Sequence, residues 1–174
     1  MKLKESILFG AIFAIAAPAL ADQITVEVHL IDAQGVGAEI GAVSAEDTAV
    51  GLRLTPDLAE LPAGQHGFHV HQNPSCAPAE KDAVMTAGLA AGGHHDPENT
   101  GKHEGPAGKG HLGDLPVLMV AADGTATAAV VAARLKVADL KGRSLVIHAN
   151  PDNYSDQPKP LGGSGARIAC GVIE

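Results

Sequence analysis

The stretch GFHVHQNPSC, residues 67–76, sets two histidines on either side of a single valine and follows them with a cysteine. In an extended strand successive side chains point to opposite faces, so Phe68 and Val70 share one side while His69 and His71 share the other. The apolar pair can enter a core, which leaves two imidazoles side by side on the opposite surface in a chelating arrangement. A polar strand face is also what any half-buried strand presents, so the pair needs support from the rest of the chain.

Working outward, the same two-residue period recurs. Ile24, Val26, Val28 and Leu30 alternate with Thr25, Glu27 and His29, the pattern of a strand with one buried face, on which His29 faces solvent. Further strands are predicted at about 36–43, 47–54, 66–71, 116–121, 125–131, 144–149 and 166–172. Most are short, carry valine or isoleucine, and are bounded by Gly, Pro, Asp or Asn. Eight short strands with almost no helical periodicity predict an all-β antiparallel sandwich or barrel, with a single helical turn near Val137–Leu140. Two segments fit no strand. Residues 72–115 form one, with eight glycines in 88–113 alone, and 150–165, NPDNYSDQPKPLGGSG, form the other. Loops of this length inside one domain point to function.

The first 21 residues read as a secretory signal peptide: Lys2 and Lys4, an apolar run broken by Gly10 and Pro18, and the small-residue site Ala19-Leu20-Ala21. The run is too short for a membrane span, which needs about 20 apolar residues. The expected mature chain, 22–174, is a single domain exported to the periplasm. It carries 10 basic and 19 acidic residues, a formal charge of −9, which argues against nucleic acid and anionic membranes as partners. Phe68 and Tyr154 are its only aromatic residues, so it has no stacking platform for single-stranded nucleic acid and its core must be aliphatic. Cys76 and Cys170, the only cysteines, read in an exported chain as one disulfide. Whether the protein is a monomer or a homodimer is left open.

The first long loop, in GGHHDPENTGKHEGPAGKGHLGD, offers His94 or His95, then His103, His111 and Asp114. Glycine-rich backbone buries too little apolar surface to order itself, and three imidazoles with one carboxylate make a tetrahedral set that suits zinc and would order the loop. His148, in SLVIHAN, ends an apolar strand on the face of Val146. With His69, His71 and one loop histidine it would make an all-nitrogen site, which favours copper.

These residues carry a family resemblance. From about Ile24 to Ile173 the chain resembles the copper/zinc superoxide dismutases of the bacterial, periplasmic type, in GFHVH, GGHHDP, GKHEGP, GHLGDLP, LKGRSLVIHA, DNYSDQP and GGSGARIACGVI, in that order. The resemblance implies a flattened eight-stranded antiparallel Greek-key barrel, of immunoglobulin-like sandwich architecture, with two long functional loops. It implies copper ligands His69, His71, His94 and His148, and zinc ligands His94, His103, His111 and Asp114, with His94 as the shared imidazolate. The family pattern, a ligand directly after Gly-Gly and two residues before proline, selects His94 over His95. It further implies a Cys76 to Cys170 bridge, Arg167 as guide for the anionic substrate superoxide, and Asp152 as a carboxylate joining a copper ligand to a zinc ligand, with Asp156 close by. The implied activity is conversion of superoxide to oxygen and peroxide by alternating Cu(II) and Cu(I), protecting the cell envelope. His66, His29 and His95 are expected at the surface, and Lys81 and Lys159 as solvated cations that could add positive potential. Two rivals are a metal carrier without turnover, which would be expected to lack a ligand or the arginine, and a zinc hydrolase, which would need an open zinc position.

Overall fold

The computed structural model describes residues 22–174, and the expected signal peptide lies outside the described residues. Among the described residues there are eleven strand segments: β1 (Gln23–Asp32), β2 (Gly35–Thr48), β3 (Gly51–Leu58), β4 (Gly64–His66), β5 (Phe68–His71), β6 (Ala79–Lys81), β7 (Val84–Thr86), β8 (Leu118–Val120), β9 (Val130–Ala132), β10 (Arg143–His148) and β11 (Arg167–Ile173). β4 and β5 are one strand interrupted at Gly67, and β6 and β7 are a small hairpin inside the first long loop.

Seven strands form one sheet in the order β5, β10, β11, β1, β2, β3, β9, and β4 pairs with β8. Every pairing is antiparallel. The turn between β8 and β9 is closed by the Ala121 N–H to Thr125 O bond, 2.7 Å, and Ala126 exchanges two backbone bonds with Leu58 beyond the end of β3's pairing with β9. The sheet therefore curls toward closure, with first strand beside last in a Greek-key order. Its interior is aliphatic around one aromatic, Phe68, with Leu52, Leu54, Leu115, Leu118, Leu135, Leu140, Leu145 and Ile147 all fully buried. The helical turn at Val137–Leu140 is present as a 3-10 turn, with Val137 and Leu140 buried.

Several expectations shift: β2 runs on to Thr48 beyond 36–43, and the strand expected at 125–131 is one only at Val130–Ala132. The third strand is β3 at Gly51–Leu58 rather than 47–54, because the chain turns at 49–50 and leaves Val50 68 % exposed. The inward set is Leu52, Leu54, Pro56 and Leu58. In β1 the register slips between Val28 and His29 and again before Ile31. This bulge changes the strand's phase, so that Ile31 is buried in the small outer cluster with Cys76, Ala91, Val146 and Cys170 while Leu30 packs on the main core. His29 is in consequence half-buried, opposite Cys170, not fully solvent-facing.

β5 is buried on both faces. Its core side carries Phe68 and Val70, and its histidine side, expected at an open surface, is covered by the two long loops. β10 lies beside it with Ser144 opposite His71 and Val146 opposite His69. His148 continues that face, and β11 follows with Cys170 opposite Val146 and, after a slip, Arg167 opposite His148. Three adjacent strands thus present His69, His71, His148 and Arg167 to one outer surface.

Candidate metal centre

The first long loop is fastened to β5 by main-chain bonds on both sides of Val70. His95 N–H donates to Val70 O (2.8 Å) and Val70 N–H donates to Gly113 O (2.9 Å), while Gly113 N–H closes the triangle on His95 O (2.9 Å). A side chain at Gly113 would drive into Val70 O, so this approach requires glycine. Clamped at residues 93–95 and 113, the loop turns His94 toward the strand histidines and brings Asp114 beneath it.

His69, His71, His94 and His148 each place one ring nitrogen so that all four lie within 4.8 Å of one another, and all four residues are buried. His71 Nδ1 lies 3.0 Å from Gly92 O and His148 Nδ1 lies 3.1 Å from Gly165 O. Both nitrogens donate, which leaves the two Nε2 lone pairs, 3.4 Å apart, as acceptors. His69 is the reverse: Nε2 donates to Asp152 Oδ2 (2.7 Å) and Nδ1 faces inward without a partner.

A second grouping within 4.8 Å comprises His69, His94, His103 and Asp114. His69 enters it by stacking on His94, ring centroids 3.8 Å apart, but its Nε2 is committed to Asp152. His111 stands at the edge of this grouping with Nδ1 3.5 Å from Asp114 Oδ1, closer in kind to the set expected from the sequence. Asp114 reaches His94 Nδ1 at 2.9 Å through Oδ1 and His103 Nδ1 at 3.0 Å through Oδ2. His94 therefore turns Nδ1 to the second group and leaves Nε2 to the first.

Two buried ring nitrogens, His69 Nδ1 and His94 Nε2, face no partner at all, while His103 Nδ1 and His111 Nδ1 have only the shared Asp114 carboxylate, at 3.0 and 3.5 Å. An unpaired buried polar atom costs about 1–3 kcal/mol, so nitrogens converging in this way call for a resident that accepts lone pairs. The first point is all nitrogen and the second is nitrogen with one carboxylate, a donor chemistry that fits copper and zinc respectively.

Electrostatics prepare these donors. Burial, followed by repulsion from neighbouring histidines, holds His69 well below the ordinary histidine value, and burial with His94 and Arg167 does the same for His71. Burial pulls His148 down to about 4 against its bond to Gly165, and lowers His94 against the pull of Asp114. Each of these shifts favours the neutral imidazole, the form a metal ligand requires. Burial opposes charge on His103, but its contacts with Asp114 and Asp152 lift it to about 9. Burial likewise opposes charge on Asp114, and bonds from His103 and His94 overcome it, holding the carboxyl below the usual carboxylate range.

The second long loop supplies Asp152, whose Oδ2 holds His69 and whose Oδ1 holds His103 Nε2 at 2.8 Å. One buried carboxylate thus joins a member of each group. Arg167, half-buried on β11, donates through one terminal nitrogen to Gly88 O and through the other to Gly92 O at 2.6 Å. Gly92 O also receives His71 Nδ1, so guanidinium and imidazole share an acceptor. Cys76 and Cys170 are bonded, Cα atoms 5.7 Å apart, which ties the Arg167 strand to the segment after β5.

Two further histidine expectations need correction. His66 is not at the surface: it is 2 % exposed, with Nδ1 2.7 Å from His148 O and Nε2 2.8 Å from Pro62 O. Its partners are carbonyls, one of them 82 residues away, so no side-chain motif announces it. His95 is also buried, 5 % exposed, but it belongs to neither ligand group. Lys81 and Lys159 are exposed. Tyr154 and Asp156 are structural partners that no motif in the sequence marks out. Tyr154 Oη accepts Val117 N–H (2.9 Å) and its ring covers Gly105, where any side chain would collide with it.

Comparison with known proteins points the same way. Residues 39–173 match the family model described as Copper/zinc superoxide dismutase (SODC). The chain is similar to copper-zinc superoxide dismutase 2 of Salmonella typhimurium, 60 % identical over 150 residues covering 86 % of this chain and 87 % of that one. Its fold is similar to the Cu/Zn superoxide dismutase from Brucella abortus, TM-score 0.87 and 52 % identity, covering 88 % of this chain and all of that one. It is also similar to the monomeric copper, zinc superoxide dismutase from Salmonella enterica in solution, TM-score 0.79 and 58 % identity with the same coverage.

Proposed function

The chain belongs to the copper/zinc superoxide dismutase family and converts superoxide to oxygen and hydrogen peroxide, and from that premise we propose how its own residues divide the work. His69 Nδ1 and the Nε2 atoms of His71, His94 and His148 would hold copper; the Nδ1 atoms of His94, His103 and His111 with Asp114 would hold zinc. The observation that carries this is the convergence of buried ring nitrogens, His69 Nδ1 and His94 Nε2 among them without a partner, with His94 offering one nitrogen to each side. When bound, copper supplies reversible one-electron exchange with superoxide, and zinc supplies a fixed charge with no redox chemistry of its own.

Two superoxide ions and two protons give one oxygen and one peroxide. His94 is placed to carry a proton at Nε2 while Nδ1 stays with the Asp114 side, which puts a proton donor where peroxide forms. His71 and His148 are kept as acceptors at Nε2 by their bonds to Gly92 O and Gly165 O. Arg167 attracts the anion. A guanidinium keeps its charge at physiological pH, and its planar fork suits a small oxyanion. The net charge of −9 on 22–174 does not oppose this, because a small ion is steered by the local field rather than by the total charge, for which superoxide dismutases are a standing example.

We further infer export to the periplasm with removal of residues 1–21. The reading is supported by the basic start, the short apolar run and the small-residue site. A secreted disulfide is consistent with it. Among the described residues no helix is long and apolar enough to cross a membrane.

Metal analysis combined with superoxide consumption tests the reading: one copper and one zinc per chain with rapid consumption is the expected result, and zinc alone without consumption would overturn it. For the guide, Arg167→Ala keeps both metals, lowers the second-order rate by about tenfold or more and flattens its decline with added salt. Arg167→Lys, which keeps the charge but cannot hold both Gly88 O and Gly92 O, falls between. A wild-type rate and salt slope in Arg167→Ala would make the arginine purely structural.

A further inference from the structure

The second long loop sends three alternate side chains across to the first, Tyr154 by covering Gly105 with its ring. Asp152 bonds His69 and His103, Tyr154 bonds Val117 N–H, and Asp156 bonds the main chain of His103 itself. Asp156 Oδ2 accepts His103 N–H at 2.9 Å, and its Oδ1 accepts Leu161 N–H at 3.0 Å. Leu161 precedes Gly162, which has φ +68 and lies directly over the Asp152 to His103 hydrogen bond. A side chain there would collide with Asp152 Oδ1 and stand 2.9 Å from His103 Nε2. The hydrogen bond is thus enclosed between two backbone segments, the one at His103 and the one at 161–162, and a single carboxylate is bonded to both.

We propose that Asp156 is a positioning residue for the zinc site, fixing His103 through its backbone and seating the Gly162 segment against the Asp152 to His103 contact. The proposal rests on the reading of His103 as a zinc ligand and adds the device that aims it. His103 lies in KHEGPAGKG, a glycine-rich stretch outside any strand, so no ladder of sheet hydrogen bonds fixes its main chain. With Asp156 in place, His103 has its N–H and its Nε2 both held and only Nδ1 left to meet the metal. Outer partners that orient a metal ligand matter: their loss costs about 10- to 100-fold in affinity or activity. The copper group has no bond to Asp156, so the effect falls on zinc first.

The test uses the metal-loaded protein in wild-type, Asp156→Ala, Asp156→Asn and His103→Ala forms. Three quantities are read: the rate of zinc transfer to a chromophoric chelator, the visible spectrum with Co(II) substituted for zinc, and copper content. Asp156→Ala is expected to release zinc about 10- to 100-fold faster, with a shifted cobalt spectrum and copper retained. Asp156→Asn keeps one acceptor oxygen for two N–H donors and is expected to lie between. Zinc release at the wild-type rate with an unchanged cobalt spectrum would overturn the proposal. Loss of both metals in step with a lowered melting temperature would overturn it too, by showing a general structural role. If His103→Ala holds zinc as tightly as wild type, the ligand assignment itself fails; if it loses zinc while Asp156→Ala does not, only the positioning role fails.

Discussion

His94→Ala loses both metals and at least about 100-fold of its superoxide consumption, beyond what removal of an outer partner of a metal ligand costs, while the adjacent His95→Ala keeps both. The contrast follows from where the two rings go. The main chain at His95 is pinned to Val70 and Gly113, which sends the side chains of neighbouring residues in different directions. His94 stacks on His69 at 3.8 Å and reaches Asp114 at 2.9 Å, with its second nitrogen orphaned toward the other group. Truncating it takes a ligand from both groups at once. His95 is buried near Arg143 and Asp139 instead, and its loss should lower stability by about 1–3 kcal/mol without altering metal content. Copper and zinc analysis, with rates scaled to copper, checks both variants. Equal metal loss in the two would remove the distinction on which the shared ligand depends.

Replacing both cysteines, in Cys76→Ser with Cys170→Ser, should cost about 4–5 kcal/mol of stability by the chain-entropy estimate for closing a loop of this size, the two being 94 residues apart. The local consequence is as specific as the global one. The bridge sits in the outer cluster with Ile31, Ala91 and Val146, and Ala91 lies between the two carbonyls, Gly88 O and Gly92 O, that hold Arg167. Loosening that segment frees the guanidinium from its fork and removes an acceptor from His71. Denaturant midpoints of the metal-loaded protein measure the first effect, and the salt slope of the rate, moving toward that of Arg167→Ala, measures the second. An unchanged midpoint would mean the bridge constrains nothing.

What could be read in advance divides along physical lines. Strand parity made His69 and His71 legible as a pair, and the same parity put His148 with Val146, because a two-residue period is written in the sequence itself. Alternation cannot report a slip of register, so the bulge in β1 that buries Ile31 was invisible, and Val50 extended the apparent third strand beyond the true turn. The β6–β7 hairpin escaped notice because its strands are three residues long and its turn, Asp82 and Ala83 at φ +53 and +62, lacks the glycine such a turn favours. Spacing alone left His94 and His95 equivalent; the family pattern separated them, and in the structure only His94 joins the ligand groups. His66 was misplaced because burial against carbonyl oxygens leaves no mark on side-chain type. Asp152 and Asp156 compete on paper for one role, whereas in space they hold the side chain and the main chain of the same histidine.

The shared imidazole can be measured directly by electron paramagnetic resonance on the protein with Cu(II) in both sites, so that each carries one unpaired electron. If His94 bridges them, the two spins couple through its ring and the ordinary Cu(II) signal is largely lost at low temperature; two independent Cu(II) signals accounting for all the copper present would contradict it.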